Sequence, residues 1–108
     1  MIIIVAKYLI PKGFVGLTIW PVILLARDED RQHVATICHE RIHIRQQVEM
    51  LVLLFFIWYG LEYLLRLLQY RNAHLAYRNI SFEREAYANE KNPEYLNSRV
   101  FWSFLKYL

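Results

Sequence analysis

An uncharged apolar stretch of twelve residues, Met50 to Leu61, limits most strongly how this chain can fold. As a helix it would span about 18 Å, which is shorter than the roughly 30 Å hydrocarbon core of a membrane. Extension to Leu68 supplies the length but adds Glu62 and Arg66, which are four residues apart and could pair. Three environments could cover such a segment: the interior of a small domain, a membrane interface into which it dips, or an oligomer contact.

The composition indicates one small globular domain over residues 1–108. Of these residues 56% are hydrophobic, which excludes disorder because enough apolar surface is present to offset the entropy lost on folding. Cys38 is the single cysteine, which excludes a disulfide scaffold and fits a reducing compartment. The segment Ile2–Val5 is not preceded by basic residues, so no cleaved signal peptide is expected. The expected location is the cytoplasm, with attachment to a membrane as an option.

The charge pattern argues against a nucleic-acid-binding protein. Thirteen Lys and Arg residues against ten Asp and Glu residues give a net charge of +3 with neutral histidine. Proteins that bind nucleic acid usually concentrate basic residues on one face, whereas the arginines here are interleaved with glutamates along the chain. The expected partner is a peptide or protein substrate. A membrane surface and a second copy of the chain remain further options.

The first quarter of the chain predicts β-structure. Residues 2–25 are rich in β-branched side chains and are divided by the turn signal Pro11-Lys12-Gly13. Pro21 lacks the amide donor of a central strand, which predicts an edge strand or a bend there.

A long first helix is predicted from about residue 31 to about residue 71, straight or bent near Gly60. The acidic residues Asp28-Glu29-Asp30 favour its entry because they face the positive end of the helix dipole. An irregular connection follows between Asn72 and Asn79.

Two shorter helices complete the prediction. Ser81 is a favourable N-cap for a helix over residues 82–91. Asn92-Pro93-Glu94 starts a last, amphipathic helix that continues to the C-terminus. The predicted fold class is therefore α+β: a small N-terminal β-hairpin or sheet packed on a bundle of about three helices.

The pattern His39-Glu40-x-x-His43 on the first helix indicates a metal site. Residues four apart on a helix share one face and stand about one turn apart, so both imidazoles could bind one tetrahedral Zn²⁺. Glu40 is rotated by about 100° from His39, which suits a general base that takes a proton from a zinc-activated water. Glu40-x-x-His43 is also the spacing of di-iron carboxylate bundles, but the sequence lacks the second such pair that they need.

A catalytic zinc site needs a third protein ligand, and the segment after Ser81 offers Glu83 and Glu85. The combination of this segment with the upstream pattern resembles the gluzincin metallopeptidases, and the chain is similar in size to the small minigluzincins. The resemblance covers residues 37–47 and 81–90. It implies that Glu83 is the third ligand and that Ala86 packs against the active-site helix. Glu85 remains the alternative ligand.

The chain departs from the gluzincin pattern at Tyr87. The family has an Asp there, which orients a zinc-bound histidine, and a phenol oxygen is a weaker acceptor than a carboxylate. Loss of such an orienting contact can cost about 10–100-fold in metal affinity or activity. Glu85 or a backbone carbonyl could take over this role.

His74 and Tyr77 are candidates for stabilising an oxyanion, because either could donate a hydrogen bond to a tetrahedral intermediate. Ordinary roles, in a solvated loop and in the aromatic core, remain the alternative for both. The edge strand around residues 14–20 is a natural place for an extended peptide to add by strand pairing.

The sequence thus predicts a zinc-dependent metallopeptidase. The alternatives are a catalytically inactive protein stabilised by zinc and a membrane-associated interaction protein that carries the pattern by chance.

Overall fold

The computed structural model describes residues 2–108 and confirms the α+β class. Three strands come first: β1 (Ile2–Val5), β2 (Gly16–Ile19) and β3 (Val22–Leu25). Five helices follow them: α1 (Val34–Glu49), α2 (Leu53–Tyr70), α3 (Ala73–Arg78), α4 (Ser81–Asn89) and α5 (Tyr95–Ser98). Short 3-10 turns lie at Lys7–Leu9, Asp28–Gln32 and Ser103–Tyr107.

The strands form one sheet with the order β1-β3-β2, which agrees with the β-structure expected over residues 2–25. β3 is central and pairs in parallel with β1 and antiparallel with β2. The chain reverses between β2 and β3 at Pro21, so the predicted bend is a hairpin turn. β2 is left as an edge strand, and α1 packs against it.

The acidic triplet does not start the first helix as expected. Residues 28–30 lie in a separate 3-10 turn, and Arg27 pairs with Asp30 at 3.2 Å. α1 begins at Val34 instead, because the Nδ1 atom of His33 accepts the backbone N–H of Thr36 and caps the helix.

The predicted continuous helix to residue 71 is wrong, and so is the predicted bend at Gly60. α1 ends at Glu49, and α2 leaves it at an angle of 112°. Leu51 and Val52 take positive φ angles of 56° and 59° at the break, which is a strained conformation for a β-branched residue such as Val52. The break lets Met50 and Phe55 enter the same core cluster.

The later helices also differ from the prediction of about three in all. The stretch expected to be irregular contains α3, whose N-terminus is capped by the Asn72 side chain on the N–H of Leu75. Ser81 does not cap α4. Its N–H and its hydroxyl both donate to the buried carboxylate of Glu62 on α2, each at 2.6 Å. Glu62 thereby satisfies a free amide at the start of α4.

The expected amphipathic helix at the C-terminus is divided into α5 and a 3-10 turn. Between them Arg99 is extended, and its side chain is fully buried. Its guanidinium bonds to Glu49 at the end of α1 and to Glu85 on α4. A continuous helix is incompatible with this extended backbone at Arg99.

Aromatic side chains form the main core cluster where α2, α4 and the C-terminal turn meet. Met50, Phe55, Ile80, Phe82 and Phe104 are almost fully buried there. A second cluster between α1 and α4 contains Cys38, Ile42 and Ala86. Ala86 thus packs against the helix that carries the two histidines, as the resemblance implied.

The interpretation of α2 as a fully buried central helix is wrong. Within α2, Phe55 and Glu62 alone are buried, and eight large apolar side chains are between 39% and 78% exposed. We call these eight the apolar arc: Leu53, Leu54, Phe56, Ile57, Leu61, Leu64, Leu65 and Leu68. Over residues 2–108, no single helix is long and apolar enough to cross a membrane, whereas α1 and α2 together pass that test as a bent pair.

Arg99 joins three segments of the chain through buried charges. Its Nη1 atom lies 2.6 Å from Glu49, and its Nε and Nη2 atoms bond to Glu85. Burial alone raises the pKa of Glu85, but the hydrogen bonds from Arg99, Tyr95 and Gln46 and the charge of Arg99 together outweigh it and hold that pKa below the usual value. The stability that Glu85 contributes is therefore present above its ordinary pKa and is lost as the pH falls.

Replacement of Arg99 by Met should destabilise the protein by about 3–5 kcal/mol, because two buried carboxylates lose their cation. Urea denaturation at neutral pH measures the change, and the matched control is Arg41→Met on the exposed face of α1. A loss at Arg99 no larger than that of the control would contradict the buried ion pair.

Candidate metal centre

Three buried side chains from two helices converge on one point. The Oε1 atom of Glu83 lies 3.1 Å from Nε2 of His39 and 3.0 Å from Nε2 of His43, and the two Nε2 atoms are 3.2 Å apart. All three residues are at most 7% exposed. This is a group that could hold a metal ion.

Helix geometry places these side chains. His39 and His43 are one turn apart on α1 and therefore project from the same face. Glu83 lies in the first turn of α4, which packs on α1 through Ala86. The sequence left Glu83 and Glu85 open as the third ligand, and the structure brings Glu83 to the histidines. Glu85 points instead to Arg99, Tyr95 and Gln46.

The spacing of the three atoms fits a small tetrahedral cation. Zinc bonds of about 2.0–2.1 Å to nitrogen and oxygen imply donor atoms roughly 3.3 Å apart at tetrahedral angles. The observed separations of 3.0–3.2 Å are slightly shorter than that. Two imidazoles and one carboxylate leave a fourth position free, which is the donor set of an open rather than a closed metal site.

The cluster attracts positive charge. Burial alone lowers the pKa of His43, but the charge and hydrogen bond of Glu83 outweigh it and raise that pKa to about 9. Burial alone raises the pKa of Glu83, and the two histidines reverse this and hold it well below its usual value. A proton or a metal cation would satisfy the same electrostatic demand.

Each histidine has a neighbour at its outer ring nitrogen. Nδ1 of His43 lies 2.8 Å from Oε1 of Gln46, which in turn donates through Nε2 to Glu85. Nδ1 of His39 faces the carboxylate of Glu90 at 3.7 Å. A hydrogen bond such as that between His43 and Gln46 fixes the orientation of a ligating imidazole. Sequence reasoning did not single out Glu90.

Tyr87 does not orient a histidine through its hydroxyl. Its ring packs edge-on against His39 at 4.4 Å between centroids, and its hydroxyl bonds to the Tyr77 hydroxyl at 2.8 Å. The guanidinium of Arg78 lies over the Tyr87 ring, with its central carbon 3.6 Å from the ring centre. Tyr87 therefore forms a wall of the site, and Glu90 lies near the outer ring nitrogen of His39.

Tyr59 is a site residue that sequence reasoning missed. Its hydroxyl donates to Oε2 of Glu83 at 2.7 Å, on the carboxylate oxygen that the histidines do not contact. Burial, followed by the nearby charge of Glu83, raises the pKa of Tyr59, so the phenol keeps its proton. Tyr59 lies in the uncharged apolar stretch, where nothing in the local sequence marks it. It reaches Glu83 only because the chain bends before α2.

Glu40 is buried beside the cluster and is held by the edge strand. The hydroxyl of Thr18 donates to Oε2 of Glu40 at 2.6 Å. The other oxygen, Oε1, would lie only 3.0 Å from a Cβ atom at position 16. Gly16 therefore leaves room for the carboxylate, which explains a glycine at the start of this edge strand.

A cavity of about 850 Å³ opens onto these groups. It is lined by both histidines, Glu40 and Glu83, by residues 11–18 of the edge strand and the loop before it, and by one side of α2. His74 and Tyr77, the two candidate oxyanion donors, also line it. Among the described residues, none beyond Glu90 contributes to the lining, so the C-terminal segment does not cover this cavity.

Comparison of the chain with protein-family models, with curated proteins and with solved structures finds no match.

His39→Ala should abolish the stabilisation of the protein by added zinc, since it removes one of three donor atoms. Thermal unfolding with and without Zn²⁺, together with the metal content of the purified protein, provides the measurement. His74→Ala is the control, because His74 lines the same cavity but is not part of the cluster. An equal zinc-induced shift in His39→Ala and wild type would rule out this metal centre.

Tyr59→Phe should weaken metal binding by about 10–100-fold, because Glu83 loses the hydrogen bond that fixes its second oxygen. Competition with a chromogenic chelator measures the affinity. Tyr63→Phe removes a hydroxyl from the same side of α2 and should leave the affinity unchanged. Equal affinities for all three proteins would show that Tyr59 does not position the carboxylate.

Proposed function

We propose that this protein is a zinc-dependent metallopeptidase, in which His39, His43 and Glu83 hold the metal and Glu40 is the general base. The observation that carries the proposal is the convergence of the three ligating atoms next to a second buried carboxylate in an open cavity. A merely structural metal would not require that fourth group.

Zinc is the metal that best suits the donor set. Two neutral imidazoles and a carboxylate at this spacing are typical of catalytic zinc sites. When bound, zinc lowers the pKa of a water molecule and polarises a carbonyl oxygen. The remaining chemistry, which is proton transfer and substrate placement, belongs to the side chains around the cavity.

Glu40 would accept the proton that the attacking water releases and pass it to the leaving amine. Both tasks require a carboxylate that is fixed and within reach of the reacting groups. Thr18 supports this role because its hydroxyl restrains Oε2, while Oε1 stays beside Gly16 at the cavity lining.

The edge strand β2 supports binding of an extended peptide. In an antiparallel pair, the N–H and C=O groups of alternate residues point to the free edge. Gln47 already occupies two of these groups, the C=O of Thr18 and the N–H of Trp20. The free positions therefore begin at Gly16, next to Glu40, where a substrate strand could add.

Tyr77 is the better candidate for stabilising the oxyanion. Burial, followed by the charge of Glu83, raises the pKa of Tyr77, so its hydroxyl stays protonated and can donate. Its hydrogen bond with Tyr87 holds the phenol at the cavity wall. His74 lies further out, with its ring centre 6.4 Å from that of Tyr77, and is exposed.

A catalytically inactive, metal-stabilised protein is the second candidate. It is favoured by the way the cluster connects α1 with α4 and, through Tyr59, with α2. A metal bound there would add to the stability of a small domain irrespective of catalysis.

Glu40→Gln distinguishes the two candidates. We expect it to reduce peptide hydrolysis by about 10²–10⁴-fold, because the amide cannot accept the proton, while zinc binding stays near the wild-type level. Activity is measured on a mixture of fluorogenic peptides, and affinity by chelator competition. Glu94→Gln, at an exposed position, is the control.

Hydrolysis that persists in the Glu40→Gln protein would exclude Glu40 as the base. Stoichiometric zinc in a wild-type protein that cleaves none of the peptides would favour the inactive, metal-stabilised alternative.

A further inference from the structure

The helix α2 has its charged side chains on the side that faces the protein and apolar side chains on the side that faces the solvent. Its two charged residues, Glu62 and Arg66, face the protein and lie 3.5 Å apart, and Glu62 is buried against Ser81. The outward half of the helix carries the apolar arc instead. A surface helix in water normally shows the reverse arrangement, with its charges outside.

The apolar arc is wide and lacks any side chain that can form hydrogen bonds. Its limits, Phe56 and Leu65, are nine positions apart in sequence and therefore about 180° apart around the helix axis. Six of its eight members are leucine, and the others are Phe56 and Ile57. Soluble monomers rarely expose a continuous apolar surface of this kind, so something covers it in the functional state.

We propose that the apolar arc binds the surface of a lipid bilayer, with α2 lying in the plane of the interface. In this arrangement hydrocarbon would surround the outward half of the helix, while Glu62 and Arg66 stay in the protein. Amphipathic helices of this length bind membranes in the same manner through one apolar face.

A second copy of the chain explains the arc less well. Leu54, Ile57, Leu61, Leu64 and Leu68 do follow the alternating three-and-four spacing of a coiled-coil seam. However, a two-helix seam covers a narrow stripe, and its flanking positions are usually charged. Here the flanks are Leu53 and Leu65, which would remain in water.

A protein partner of another kind is also disfavoured by composition. Protein interfaces contain about one hydrogen bond per 100–200 Å² and are enriched in Tyr, Trp and Arg. The arc offers none of these, whereas the aromatic residues of α2 with polar groups, Trp58, Tyr59 and Tyr63, pack towards the protein. Lipid chains do not form hydrogen bonds, so they suit a surface that has no polar side chains.

A positive charge at the end of the arc suits an anionic membrane. Arg71 is exposed directly after the C-terminal end of α2, and the chain carries a net charge of +3 with neutral histidine. The arc also borders the cavity at Phe56, which belongs to both. The bound protein would therefore hold its cavity close to the lipid surface.

Flotation with vesicles tests the proposal. Wild-type protein should float with vesicles of phosphatidylcholine and phosphatidylglycerol (3:1), and more weakly with phosphatidylcholine alone. The double variant Leu61→Gln, Leu64→Gln should bind at least about tenfold more weakly, because two side chains no longer favour hydrocarbon. The control Leu9→Gln, Leu108→Gln changes two leucines outside the arc with matching exposure, 65% and 57% against 65% and 56%, and should float like wild type.

Circular dichroism melting shows whether each variant is folded, and sedimentation in detergent-free buffer reports the oligomeric state. The proposal is overturned if the wild type does not float, or if the control loses binding as much as the arc variant. It is equally overturned by a lipid-free dimer that does not float and that the arc variant dissociates, since a second copy would then cover the arc.

Discussion

The structure depends on the buried carboxylate of Glu83. One of its oxygens contacts both histidines of α1, and the other accepts a hydrogen bond from Tyr59 on α2. Burial of a charge without partners would cost several kcal/mol, so the buried position of Glu83 depends on these contacts. The helices α1, α2 and α4 are thereby held at one point, and all three contribute residues to the lining of the cavity.

The sharp bend between α1 and α2 is the backbone condition for this arrangement. A straight helix would extend residues 53–70 over a further ~27 Å along the axis of α1, beyond reach of α4. The bend turns α2 back so that Tyr59 reaches Glu83 and Glu62 reaches Ser81. The backbone strain is confined to the break at Val52, whereas the bend brings residues along α2 into contact with α4.

The sequence was informative where a feature is local and periodic. The four-residue spacing of His39 and His43 determines a shared helix face, and the strands over residues 2–25 follow from β-branched residues and turns. It was uninformative where the partner lies far along the chain. Tyr59 and Arg99 acquire their roles from the bend and from α4, and neither has a local pattern that indicates a buried hydrogen bond or ion pair.

The uncharged stretch that limited the fold at the outset turns out to have two sides with different roles. Its inward side supplies Phe55 to the core and Tyr59 to the His39, His43 and Glu83 cluster. Its outward side is too apolar for water and too wide for one neighbouring helix. The exposed apolar arc and Tyr59, which bonds to Glu83, thus lie on the same helix. A surface that covers the arc would therefore also restrain the helix that carries Tyr59. The proposed attachment and the geometry of the candidate metal centre would thus be linked through α2.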